Sequence, residues 1–117
     1  MSDHQEACIF CRIAAGDMGT AFVAATDHVV AFDDISPQAP VHVQVIPKRH
    51  IASVHELGSG DAALWAEILD VANRVAVEKG VDESGFRLVS NAGPDSGQEV
   101  HHLHVHVLGG QKLGPIA

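Results

Sequence analysis

The sequence predicts an α+β domain, a mostly antiparallel sheet with one long helix and a short N-terminal helix, on three observations. The elements come in the order helix, strands, helix, strands, which groups the strands instead of alternating each with a crossover helix. One stretch, residues 61–79, carries Leu64, Trp65, Ile68, Leu69, Ala72, Val75 and Ala76 at three- and four-residue intervals, the period of a helix with one apolar face. Two shorter stretches alternate residue by residue: Val41, Val43 and Val45 against His42, Gln44 and Ile46, and Leu103, Val105 and Val107 against His102, His104 and His106. Strand side chains repeat every two residues, so each of these stretches turns one face to a core covered by helix and leaves the other for a ligand.

Each element has its own local signal. Residues 8–15 suit a short helix stopped by Gly16. Residues 21–25 and 29–32 read as short strands joined at Asp27 and His28, which are good turn residues. Pro37 and Pro40 remove ladder donors and make 34–40 a loop before the strand at 41–46. Gly80 ends the long helix, 86–90 is a strand, 91–98 is a polar Gly-rich loop, and 100–108 is the histidine strand. Trp65 belongs to the helix core, and His4, His28 and His55 are expected to face solvent.

With 117 residues, 46% of them apolar, residues 1–117 form one domain large enough to need no disulfide staple. A formal net charge of −8 opposes attraction to a polyanion, which disfavours extended nucleic acid and lipid headgroups as partners but leaves a mononucleotide open. The chain starts Met1, Ser2, Asp3, His4, with no basic region leading into an apolar run, and has no apolar stretch of about 18 residues. A soluble, cytoplasmic protein is expected. The two cysteines, Cys8 and Cys11, lie too close together for a structural bridge to be the first reading; metal or redox chemistry comes before it.

Three imidazoles on one strand face are costly as mere packing, because each titrates near neutral pH and each needs hydrogen-bond partners. The bland reading is a pH-sensitive or adventitiously metal-binding surface. The functional reading gains from the preceding loop, where Asn91, Gly93, Gly97 and Gln98 can bring backbone N–H groups close to an anion. His101 is expected on the opposite face.

The run His102-Leu-His104-Val-His106-Val-Leu108 resembles the histidine triad pattern. The runs Asp34-Ile-Ser-Pro-Gln-Ala-Pro40, with His42, and Val45-Ile-Pro-Lys-Arg-His50 resemble the purine nucleoside phosphoramidase branch of that superfamily. The resemblance covers nearly the whole chain, from Cys8 to about Gly110. It implies a HIT-like fold, a homodimer, a purine nucleotide substrate and attack by the middle histidine on the α-phosphorus. His104 is then the nucleophile that forms a nucleotidyl-histidine, which water later hydrolyses. His42 and His106 resemble the phosphate-contacting histidines, and Asn91 positions the phosphate or leaving group. Asp34 looks like the ribose-binding carboxylate. Ile35, Phe10, Phe32 and Ile9 are candidates for the base pocket, with Gly97 and Gln98 at the phosphate; on pattern alone the four apolar residues read as core and Asp34 as a turn former.

Two cysteines do not close a tetrahedral site. The resemblance extends to relatives that complete such a pair with the histidine ending the Pro-x-x-His segment and the first of the triad, here His50 and His102, which makes a structural Zn2+ on Cys8, Cys11, His50 and His102 the expected cofactor. His101 is the rival fourth ligand, and free thiols or a labile redox pair are the alternative to a metal. Glu99 departs from the pattern, standing where the best-known phosphoramidases carry a serine; alternation with His101 and Leu103 is expected to turn it away from the ligand. The segment after Gly110 is shorter than the aromatic tails of relatives, and leaving-group preference is expected to shift with it. The other functions in view are diadenosine polyphosphate hydrolysis or nucleotidyl transfer, a non-catalytic nucleotide-binding scaffold, and a pH or metal sensor.

Overall fold

In the computed structural model, which describes residues 5–116, five strands join into one antiparallel sheet. They are β1 (Ala24–Ala25), β2 (Val29–Asp33), β3 (Val41–Pro47), β4 (Phe86–Val89) and β5 (Val105–Gly109), in the spatial order β1-β2-β3-β5-β4. The 17-residue helix α2 (Ala62–Glu78) covers one face and the six-residue helix α1 (Ile9–Ala14) part of the other. His4 lies outside the described residues, while His28 and His55 are exposed. Among the described residues no helix is long and apolar enough to cross a membrane.

Both helices stop at a glycine for the same reason. Gly16 (φ 85°) and Gly80 (φ 71°) take the left-handed conformation that lets the following N–H reach back, Asp17 to the Arg12 carbonyl and Val81 to the Ala76 carbonyl. At its start α1 is capped by Cys8, whose Sγ accepts from the Cys11 N–H at 3.3 Å. The cap thus sets the two thiols one turn apart.

The period of α2 puts Ile68, Val71, Ala72, Val75 and Ala76 into the interior, with Leu64 and Trp65 packed at its margin. Val71 occupies the stripe in place of the expected Leu69, which is half-buried. Across from them lie Val29, Ala31, Val43, Val45, Leu103, Val105 and Val107, as the alternation of the strands requires. Ile68 has no exposed surface. Its replacement by alanine is expected to cost about 2–5 kcal/mol, read as a lower midpoint in urea; an unchanged midpoint would place the core elsewhere.

Two strands are shorter than their sequence pattern. Pairing at the first edge covers Ala24 and Ala25, with Val23 adding one further bond to Ala31, and the edge stays short as edge strands commonly do. The histidine strand enters the ladder at Val105 instead of residue 100, because its neighbour β3 ends at Pro47, which has no N–H to offer. Upstream, the Leu103 N–H donates to the Ile51 carbonyl and His102 Nε2 bonds the Pro47 carbonyl. The alternation nevertheless survives: Leu103, Val105 and Val107 are in the core, and His102 and His104 are buried on the opposite side.

Candidate active site

Strand β3, strand β5 and the segment leading into β5 carry the polar groups, and the register places His42 opposite Leu108 and Gln44 opposite His106. His42, His104 and His106 form one continuous cluster, with ring centroids of His104 and His106 5.1 Å apart and those of His42 and His106 also 5.1 Å apart. Phe10, from α1, stands edge-on to His104 at 5.2 Å.

Hydrogen-bond partners decide which nitrogen of each ring carries a proton. His104 Nδ1 lies 2.6 Å from the carbonyl of His102, an acceptor only, so Nδ1–H donates and Nε2 keeps its lone pair. That lone pair is what a nucleophilic imidazole needs. The Gln38 N–H donates to His42 Nδ1 at 3.0 Å, so His42 carries its proton on Nε2 and donates it to His106 Nδ1 at 2.9 Å. His106 is left with its proton on Nε2, a donor. One backbone amide thereby fixes the polarity of two rings.

Burial, followed by the neighbouring His104 and His42, pushes His106 from 6.5 down to about 4, against the opposing pull of Asp34. His106 is therefore a neutral donor across the physiological range. Above pH 6.5 the ring is neutral folded or unfolded; below it the unfolded chain takes up the proton first, and stability falls until the folded ring follows near pH 4. A histidine-resolved NMR titration of the ligand-free protein is expected to find His106 uncharged at pH 5.5; a midpoint near 6.5 would contradict this.

Asp34 joins the cluster from the loop after β2. Its Oδ1 accepts from the Ser36 N–H at 2.8 Å, its Oδ2 from Gln44 Nε2 at 2.7 Å, and Oδ2 lies 3.4 Å from His42 Nε2. Burial favours the protonated acid, but Ser36, Gln44 and the two histidines His42 and His106 outweigh it and hold the carboxyl below its ordinary range. A cavity of about 560 Å³ opens beside it and brings together Ile9, Phe10, Phe32, Asp34 and Ile35, all expected at a base and ribose pocket. Its size suits one small molecule. Ile35 is 99% exposed, an apolar side chain at the mouth with nothing packed on it.

Gln44 and Glu99 also line the cavity. For Glu99 this corrects the expectation that it faces away: a bend at residues 100–102 separates it from the segment over which the alternation holds. Gln44 shares the His42 face in the sequence pattern without standing out as a site residue; a lone amide among valines is the signal that could have found it. Gln98 is engaged within the scaffold, its Oε1 accepting from the Gly93 N–H and its Nε2 donating to the Ala52 and Val100 carbonyls. Gly97 is exposed and closes a turn at φ 83°. Asn91 is half-buried, and its side chain makes no hydrogen bond to another described residue.

A second cluster adjoins the first through the main chain. Cys8, Cys11, His50 and His102 place one ligand atom each within 4.8 Å of one another and can hold a metal ion. Cys8 Sγ is 3.2 Å from His102 Nδ1, and Cys11 Sγ is 3.4 Å from His50 Nδ1 and 3.5 Å from His102 Nδ1. His102 Nε2–H donates to the Pro47 carbonyl at 2.8 Å, which turns the Nδ1 lone pair inward as second-sphere hydrogen bonds do for metal ligands. Burial pushes His102 down to about 4, against that hydrogen bond, so the ring is neutral and ready to ligate. Burial pushes the Cys11 thiol up, so a metal there must displace its proton. His101 is exposed and outside the cluster, in which His102 supplies the fourth ligand atom. Asp34, His42 and His106 also lie within 4.8 Å of one another, but the Gln38 N–H obliges His42 Nε2 to carry a proton, and a protonated nitrogen does not ligate.

Fold and site together define an α+β domain built around a histidine cluster on one face of its sheet. The HIT domain family model matches residues 16–113, and the chain belongs to that family. It is 39% identical over 111 residues to the purine nucleoside phosphoramidase of Escherichia coli (strain K12), covering 95% of this chain and 93% of that one. Among solved structures, a HIT family hydrolase from Clostridium thermocellum superposes with a TM-score of 0.91 at 43% identity, covering 95% of this chain and 96% of that one. A histidine triad protein from Clostridium difficile does so with a TM-score of 0.92 at 42% identity, covering 97% and 99%.

Proposed function

We propose that the chain is a nucleotide hydrolase that cleaves purine nucleoside 5′-phosphoramidates through a covalent nucleotidyl-His104 intermediate. The observation that carries this reading is the His104 ring, with Nδ1–H held by the His102 carbonyl and Nε2 left unprotonated, packed against Phe10, which lines a cavity of nucleotide size. The Nε2 lone pair attacks the α-phosphorus, a P–N bond forms to His104, and the amine departs with a proton. Water then attacks the same phosphorus and gives a proton to solvent, the bond to His104 breaks, and its electron pair returns to Nε2 while Nδ1 keeps its proton. His106 Nε2–H and the free Asn91 amide are donors for the phosphoryl oxygens, where charge concentrates in transit. Asp34 accepts from the ribose hydroxyls, while Phe10, Phe32, Ile9 and Ile35 enclose the base. Gly97 and Gln98 give their own N–H groups to the Pro94 and Gly93 carbonyls and so serve to shape the loop that follows Asn91. Likeness to the phosphoramidase named above supports the choice of leaving group.

Diadenosine polyphosphate hydrolysis uses the same attack with a phosphate leaving group. Turnover of adenosine 5′-monophosphoramidate and of a diadenosine polyphosphate, measured side by side, separates the two readings. The phosphoramidate is expected to give the higher kcat/KM; the reverse order would replace the proposed substrate class.

The metal on Cys8, Cys11, His50 and His102 is proposed to be zinc, which takes two thiolates and two imidazoles in a closed structural tetrahedron. Bonds of about 2.3 Å to sulfur and about 2.0–2.1 Å to nitrogen put such ligands roughly 3.5 Å apart, close to the separations of 3.2–3.5 Å found here. Zinc there would tie α1 to the segment that carries His104. A homodimer is proposed because β4 is an open edge, with exposed Leu88 on it and exposed Val77 on α2. The net charge of −8 weighs against extended nucleic acid and membranes as partners, and the two free thiols suit the reducing cytoplasm.

A further inference from the structure

Position 44 lies in the middle of β3, in a cross-strand row that runs from Phe32 through Gln44 to His106, so it stands between a wall of the cavity and the histidine cluster. Valines flank it in sequence, and an aliphatic residue would satisfy the pleat and the packing. Instead the chain buries an amide, 8% exposed, whose Oε1 has no hydrogen-bond partner among the described residues. A buried, orphaned acceptor destabilises a fold, and such groups in native proteins call for a reason. Oε1 itself is closed off from the cavity. The reason must therefore lie in the other half of the amide, whose Nε2 donates to Asp34 Oδ2 at 2.7 Å.

That bond has a definite consequence for the carboxylate. Asp34 Oδ2 stands 3.4 Å from His42 Nε2, whose proton is already engaged by His106 Nδ1 at 2.9 Å. Without a competing donor, Oδ2 would draw that proton to itself, the link from His42 to His106 would loosen, and the carboxylate would turn from the cavity. With Gln44 on Oδ2 and the Ser36 N–H on Oδ1, each oxygen has one engaged lone pair and one left, which matches the two hydroxyls of a ribose cis-diol.

We propose that Gln44 is a positioning residue that holds the Asp34 carboxylate off His42 and aims it into the cavity, so that the site selects ribonucleotides over 2′-deoxyribonucleotides. This rests on the nucleotide reading of the site given above. Gln44 acts through Asp34 and touches neither the phosphorus nor the leaving group.

The test is the binding of adenosine 5′-monophosphate and its 2′-deoxy counterpart by calorimetry, with melting temperatures, in the unaltered chain and in Gln44→Leu and Gln44→Met. The unaltered chain is expected to prefer the ribonucleotide by about tenfold or more, the scale of one hydrogen bond to a charged acceptor. In both variants the preference is expected to fall to about onefold, with the deoxynucleotide bound as before and the melting temperature equal or higher once the orphaned oxygen is gone. Variants that keep the original preference would overturn the proposal while leaving the nucleotide reading intact. Two unfolded variants would overturn it as well, by assigning Gln44 to the fold. An unaltered chain that binds neither nucleotide would remove the nucleotide reading, and the proposal with it.

Discussion

Replacing His104 with alanine is expected to lower turnover of a nucleoside phosphoramidate by about four orders of magnitude or more, with nucleotide affinity changed by less than about tenfold. The split follows from where the ring stands. His104 Nε2 is the nitrogen left unprotonated by the bond from Nδ1 to the His102 carbonyl, and no other ring in the cluster combines a free Nε2 lone pair with a fixed tautomer. His106 carries its proton on Nε2 and donates, and His42 commits its Nε2–H to His106. Removing His104 leaves the donors, Asp34 and the apolar walls intact, so binding persists where bond-making stops. Steady-state rates and equilibrium binding measured on the same preparation check this; an alanine variant within about a hundredfold of the original rate would exclude covalent catalysis at this position.

Removal of the metal is expected to have the second largest effect, on stability. A ligand bound by the folded state alone stabilises it by about 4 kcal/mol when its free concentration is 1,000 times its Kd. For a chain of about this length that corresponds to a melting temperature higher by roughly 15 °C. The donors Cys8 and Cys11 come from the cap and first turn of α1, His50 from the segment after β3 and His102 from the approach to β5, so their loss frees three parts of the fold from one another. The effect should reach the chemistry, because the carbonyl that fixes the His104 tautomer belongs to His102 itself. Cys11→Ser, or dialysis of the intact protein against a strong chelator, is expected to lower the melting temperature and kcat together, and added zinc should restore both to the dialysed protein. A freshly purified protein that holds no metal by elemental analysis, and melts at the same temperature after chelation, would contradict the assignment.

Much of the fold is legible in the order of the amino acids. The alternation around Val43 and Val105 and the three- and four-residue period of residues 61–79 specify which faces meet in the core, because both are backbone geometry expressed as side-chain order. The stops at Gly16 and Gly80 are legible because a left-handed residue at a helix end favours glycine. Strand length is not. Whether residues 100–104 join a ladder depends on the partner across from them, and Pro47 ends that partner. The same dependence hides the place of Glu99, whose position follows from a bend that no local pattern announces.

Within the site, the gathering of His42 with His106, and of Cys8 and Cys11 with His50 and His102, is carried by motif resemblance; spacing alone leaves His101 and His102 as rivals for one ligand position. The proton assignments are out of reach of sequence, because they depend on the Gln38 N–H and on the carbonyls of Pro47 and His102, main-chain groups whose direction is set by the fold. Gln44 is visible as a polar residue on the right face, yet its bond to Asp34 crosses from β3 to the loop after β2 and requires the register. Gln98, expected at the phosphate, has its side chain taken up by the loop it belongs to, a fate that composition does not distinguish from a ligand contact.

The central claim is that one imidazole nitrogen takes the nucleotidyl group from its amine and passes it to water. Its most direct test is a single-turnover reaction with a phosphoramidate, quenched in base, where a phosphohistidine bond survives, followed by digestion and mapping of the modified peptide. The account predicts a transient nucleotidyl group on His104 alone, bonded through Nε2. A label on His106 or His42, or full product release with no adduct at the earliest times, would contradict it.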